Sequence, residues 1–225
     1  MKKFIKVIFI FLYMLSFVNM HVLLEWNVIF HQIIGFISEA NQETGLVDAG
    51  EDYMIQDKPI YQEGEDWVGS YGDINIIYEA VTPIVGFYVG GHAAVIEDEN
   101  QSIETTGLDP PGQNFVKYRV NNWAKRHDFV IGLRVVGADE EDYHEAVAGA
   151  KTTLGKPYDY IFYLINQSFY CTEVITAGWD PLGYHLNYDG GAVTVQDLMV
   201  SPLTYVSYIH YTDKDGNKVV FHLKE

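Results

Sequence analysis

Hydrophobic positions in this chain fall into short alternating runs divided by turn residues, with a few stretches of helical spacing between them. From Gly72 to Ala80 a turn leads into a β-rich run, and His92–Glu97 and Ser102–Gly107 are two strands around the turn Asp98-Glu99-Asn100-Gln101. Phe115–Val120 and Phe129–Val136 read as further strands. Asp139–Leu154 is a helix: acids crowd its first turn, Ala146, Val147, Ala150 and Leu154 form its apolar stripe, and Gly155 suits its stop. After an apolar approach over Phe162–Phe169, Cys171–Trp179 reads as a second helix ending before Asp180-Pro181. Thr194–Met199 is a short capped helix. Tyr205–Tyr211 and Lys218–Leu223 alternate around Asp215-Gly216 as a hairpin.

The N-terminus differs in kind. Lys2, Lys3 and Lys6 precede an apolar run from Val7 to Val18, the order of a secretory signal. No small-x-small cleavage pattern follows at the usual distance. Residues 20–37 continue apolar, with Leu23, Trp26, Phe30, Ile33 and Ile37 at helical spacing. The expectation is a signal or signal-anchor with an amphipathic helix over 1–37, an acidic linker over 38–66, and a compact domain over 67–225. With lysines only at the extreme N-terminus, the domain is expected to be exported, and either anchored at the cell surface or secreted.

Charge narrows the partners. The formal net charge is -17, and nearly all of it lies beyond residue 50. Such a surface repels phosphate backbones, so nucleic-acid binding is excluded as an expectation. A single cysteine rules out an intramolecular disulfide framework. No cysteine or histidine spacing suits zinc and no glycine pattern suits a phosphate loop, so neither metal nor cofactor is expected. Asn166-Gln167-Ser168 has the form of a glycosylation sequon.

The single cysteine, Cys171, stands where a helix starts, in FYCTEVITAGW. First-turn N–H groups stabilise a thiolate and can donate to an oxyanion. By position alone a buried, inert thiol is the commoner outcome. His92 changes that balance: it follows Gly90-Gly91 and opens an apolar strand. Of the other histidines, His21 and His31 lie in the N-terminal segment. His127, His144, His210 and His222 sit among charges or in the last hairpin, and His185 stays open in a loop after the cysteine helix. Glu104 is the third member if the paired residue numbers of the His92 and Glu104 strands sum to an even value. The two then share a sheet face, opposite or diagonal, and Glu104 can hold the imidazole; otherwise it is an ordinary solvated carboxylate.

The order GDI (Gly72–Ile74), GHAAVI (Gly91–Ile96), IET (Ile103–Thr105), GKPYD (Gly155–Asp159) and YCTEVI (Tyr170–Ile175) resembles the permuted papain-like amidases and cysteine peptidases, the YiiX-like branch of the NlpC superfamily. The resemblance spans about Trp67 to Leu203, and Thr172 replaces the serine usual after the cysteine. It implies an α+β, circularly permuted papain-like fold, a small antiparallel sheet or barrel packed on the cysteine helix. It also implies Cys171 as nucleophile, His92 as base and Glu104 as orienting acid, with Tyr170 and Tyr158 as candidate oxyanion donors. The function expected is thiol hydrolysis of an amide in a peptide, cell-wall or acyl-amide substrate. Acyl transfer or lipid N-acyl hydrolysis by the same residues, and a non-catalytic binding module on the same fold, are the alternatives.

Overall fold

The computed structural model describes residues 65–78, 91–160, 167–188, 190–212 and 215–222. Residues 1–37, assigned to export, and nearly all of the 38–66 linker lie outside the described residues, as do 162–166 of the apolar approach.

Seven strands form one antiparallel sheet: β1 (Ile74–Ile77), β2 (His92–Ile96), β3 (Gln101–Glu104), β4 (Lys117–Val120), β5 (Phe129–Val135), β6 (Thr204–Thr212) and β7 (Lys218–His222). Their order is β4-β3-β2-β1-β5-β6-β7. The architecture is α+β and the sheet is open, with β4 and β7 at its edges, so it is not a barrel. β1 reads INII without alternation because both of its faces are covered.

The described residues also form helices α1 (Trp123–Arg126), α2 (Glu140–Lys151), α3 (Cys171–Trp179) and α4 (Val195–Val200), with a 3-10 turn over Asp180–Leu182 after α3. Side-chain parity sorts the core into two layers. On one face Ile74, Ile76, Ala93, Val95 and Leu133 meet Val147 of α2 and Val174, Ile175 and Trp179 of α3. On the other, Ala94, Ile96, Val130 and Tyr208 meet Trp123 and Ala124 of α1.

Local signals account for the boundaries. Asp139 caps α2 by accepting from the N–H groups of Glu141 and Asp142, while Asp142 accepts from the Asp139 N–H. Thr194 and Asp197 cap α4 in the same reciprocal way. α2 ends at Lys151 with Thr152 as its C-cap, short of the expected Leu154, and Gly155 (φ 78) lies in the turns beyond it; Gly216 (φ 85) takes the left-handed backbone that the last hairpin needs. Helix α1 carries no detectable period at four residues, and the hydrophobic pattern did not predict it.

The cysteine helix is set by a close crossing. α3 packs on α2 and across β2 and β3. A Cβ on Gly178 would lie 2.3 Å from the carbonyl oxygen of Ala146, so only glycine lets the two backbones approach this closely. That approach fixes how far the N-terminal end of α3 reaches over the sheet.

Candidate active site

Cys171 is the first residue of α3, and Tyr170 before it is extended (φ -97, ψ 174). The turn is held from two sides. The Tyr170 N–H donates to Glu173 Oε2 at 3.1 Å, and Thr172 Oγ1 donates to the carbonyl of Val193 at 2.7 Å. Thr172 is thus an anchor for the helix start, and its extra methyl is buried. The Cys171 thiol is free, partly buried, and packed at the margin of the core.

Across β2 and β3, Val95 faces Ile103 and Ile96 faces Ser102. Each pair sums to the same even number, so His92 and Glu104 share a face and stand diagonal to one another. Their contact is direct: His92 Nε2 lies 2.5 Å from Glu104 Oε2. This is the face covered by α1, whereas α3 covers the other. His92 is the first residue of its strand, paired with the last residue of β1, so its ring can pass the end of the sheet toward Cys171. The Cys171 thiol stands near enough to His92 to act on the charge of its ring. With Nε2 held by Glu104, Nδ1 is the nitrogen left for the thiol. Cys171, His92 and Glu104 are therefore brought together in that order.

Glu104 is no solvated strand carboxylate. It is 1 % exposed, against 16 % for the His92 side chain. Its Oε1 accepts from Ser102 Oγ and from Arg126 Nη2, each at 2.8 Å, and Arg126 Nη1 lies 3.4 Å from Oε2. Arg119 Nε stands 4.0 Å away from β4. The His92 ring is stacked on Trp123, with centroids 5.5 Å apart and planes within 3°.

These contacts decide the charge states. Burial disfavours a charged His92, but the thiol contact and the Glu104 carboxylate outweigh it and raise the imidazole to about 9. Burial likewise pushes Glu104 up, yet His92 and Arg126 hold it far below the usual carboxylate range. Glu173 goes the other way. Burial lifts it to about 7, the Tyr170 N–H opposing and the nearby Asp159 charge adding to the rise.

The two tyrosines named from sequence separate here. Burial raises both, but Tyr170 is a core residue whose hydroxyl is engaged by the Val193 backbone. Tyr158 feels the Cys171 charge as its next strongest influence after burial, and its ring packs over Gly107 and edge-on to Tyr160. Of the two, it is the phenol on which the Cys171 charge ranks higher among the influences.

His185 is 74 % exposed and pairs with Asp180, away from this cluster. His144 is exposed against Tyr71, and His127 packs on Trp123. Burial takes His210 down to about 4, which keeps it neutral. His21 and His31 lie outside the described residues. Arg126, Trp123 and Ser102 were not foreseen. Only Ser102 left a trace in the sequence, since it sits two residues before Glu104 and so on its face.

Among the described residues no group of three or more histidine, cysteine or carboxylate side chains is arranged to hold a metal ion. No family model matches the chain, and no curated protein matches it. Among solved structures, it is similar to the metalloprotein YiiX from Escherichia coli O157:H7, at 17% identity and a TM-score of 0.42, covering 70% of this chain and 99% of that one.

Proposed function

We propose that this chain is a cysteine hydrolase that cleaves an amide bond through an acyl-enzyme on Cys171. The observation that carries the reading is the position of His92, between a helix-start thiol on one side and a buried carboxylate on the other. An imidazolium retained to about pH 9 beside the thiol is the charge state such chemistry needs.

In the proposed reaction the Cys171 sulfur attacks the amide carbonyl carbon and the electron pair moves onto oxygen. First-turn N–H groups of α3 and the Tyr158 hydroxyl supply donors to that oxyanion; Tyr158, raised above its ordinary range, keeps the proton it donates. His92 then passes its proton to the leaving nitrogen, and the C–N bond breaks to leave a thioester. Water, giving its proton to His92, attacks the thioester; the acid departs and the ion pair is restored. Glu104 stays ionised throughout and holds the ring.

The permuted papain-like fold and an exported setting belong to this proposal, the first resting on the order of sequence motifs and the second on residues 1–37. Among the described residues no helix is long and apolar enough to cross a membrane. A peptide, cell-wall or acyl-amide substrate fits an enzyme placed there. The test is a mass shift on Cys171 from an electrophile such as iodoacetamide. Alkylation should proceed well below pH 8 in the wild type and require a higher pH in His92→Ala. A Cys171 that stays unmodified in the folded protein removes the hydrolase reading and favours a binding module.

A further inference from the structure

Arg126 takes no part in the steps above, yet it makes the most extensive contact with Glu104. Its guanidinium reaches both carboxylate oxygens, Nη2 to Oε1 at 2.8 Å and Nη1 to Oε2 at 3.4 Å. The same group lies over the Trp123 ring, 5.3 Å from its centroid. Trp123 in turn is stacked on His92. One short helix, α1, therefore holds His92 by ring stacking and Glu104 by a fork, on the sheet face away from the cysteine helix.

A glutamate carboxyl turns easily about its last bond, and only some orientations aim Oε2 at His92 Nε2. Ser102 restrains Oε1 from one direction. A planar guanidinium meeting both oxygens restrains the carboxylate plane itself. We infer that Arg126 is a positioning residue for His92, acting through Glu104 by fixing the plane of its carboxylate. The inference takes its catalytic meaning from the hydrolase reading, but its content is a statement about His92 and is tested there.

The other charges nearby do not duplicate this role. Arg119 is 4.0 Å from Glu104 and is engaged by Asp109. Lys117, directly across the strands from Glu104, is also paired with Asp109. On His92 itself, the polar groups among the described residues are Glu104 from β3 and Cys171 from α3.

Two roles for Arg126 predict opposite signs. If it only offset the carboxylate charge, its removal would leave more of that charge to His92 and raise the imidazole midpoint. If it fixes the carboxylate plane, removal loosens the 2.5 Å hydrogen bond and the midpoint falls. The experiment is an NMR titration of the His92 ring in full-length wild type, Arg126→Gln, Arg126→Lys, Glu104→Gln and the Glu104→Gln/Arg126→Gln double variant. Arg126→Gln should lower the midpoint by about one pH unit, the effect of weakening an attraction between opposite charges at short range. Arg126→Lys keeps the charge without the fork and should fall between it and wild type. In the Glu104→Gln background, Arg126→Gln should add nothing. A midpoint that rises or stays put in Arg126→Gln, or an equal shift in both backgrounds, overturns the inference. If Arg126→Gln does not fold, Arg126→Lys decides, since an unmoved midpoint there shows that the fork is not needed. Iodoacetamide labelling of the wild type reads the hydrolase proposal separately.

Discussion

Replacing Glu104 by glutamine keeps the shape of the side chain and removes its charge from a site that is 1 % exposed. His92 should respond most. Burial opposes the charged ring, yet Cys171 and Glu104 together take it from 6.5 to about 9. That rise is worth about 3 kcal/mol in favour of the imidazolium, and Glu104 supplies part of it. A raised histidine contributes its stability in full below 6.5 and loses it as the pH climbs through about 9. The depressed carboxylate contributes above its ordinary 4.5 and loses its contribution as the pH falls below that value. Wild type should therefore exceed Glu104→Gln in stability by the widest margin between pH 4.5 and 6.5, the gap narrowing on either side. Beneath this lies a part that does not vary over that range: Arg126 is deprived of its charged acceptor, at a cost of about 1–3 kcal/mol. Urea denaturation of both proteins at about pH 5.5, 7.5 and 9.5 measures the gap directly. A gap that is flat with pH, or that widens as pH rises, refutes the assignment of His92 and Glu104 as a charged pair. Turnover should fall by up to ~10⁴-fold and not vanish, because the amide oxygen can still accept from the ring.

Tyr158→Phe should lower kcat by about 10²-fold while the melting temperature stays near that of wild type, since the ring and its packing on Gly107 remain; an unchanged kcat removes it as an oxyanion donor. Gly178→Ala should destabilise the domain by about 1–3 kcal/mol, because its Cβ would have to displace α3 from the Ala146 carbonyl, and calorimetry reads the change. With Lys2, Lys3 and Lys6 cytoplasmic and residue 67 onward exported, protease added to intact cells, after wall removal if there is one, should digest the domain; full-length chain in the soluble cytosol contradicts export.

What the sequence disclosed about this site depended on the length scale of each signal. Strand parity is strictly local, so the sharing of a face by His92 and Glu104 reduced to a single question of register, which the pairing of Val95 with Ile103 answers. A helix start is equally local, and Cys171 lies at the first position of α3 as its surroundings implied. Arg126 and Trp123 had no such marker. Their helix has four residues, one turn, too short for any apolar stripe to repeat. Their partners lie far away in sequence, with Arg126 22 positions after Glu104. A basic residue on an acidic domain reads as a solvated charge until the fold shows what it faces. The open sheet was hidden for a related reason: each hairpin is visible by itself, but β1 joins β5 across a long stretch of intervening chain, and no local pattern records that closure. The burial of Glu104 escapes the sequence on the same ground. There it is one carboxylate on a strand between Ile103 and Thr105; α1 buries it, and by burying it converts the hydrogen bond with His92 from a solvated one into a pair whose charge the protein must keep.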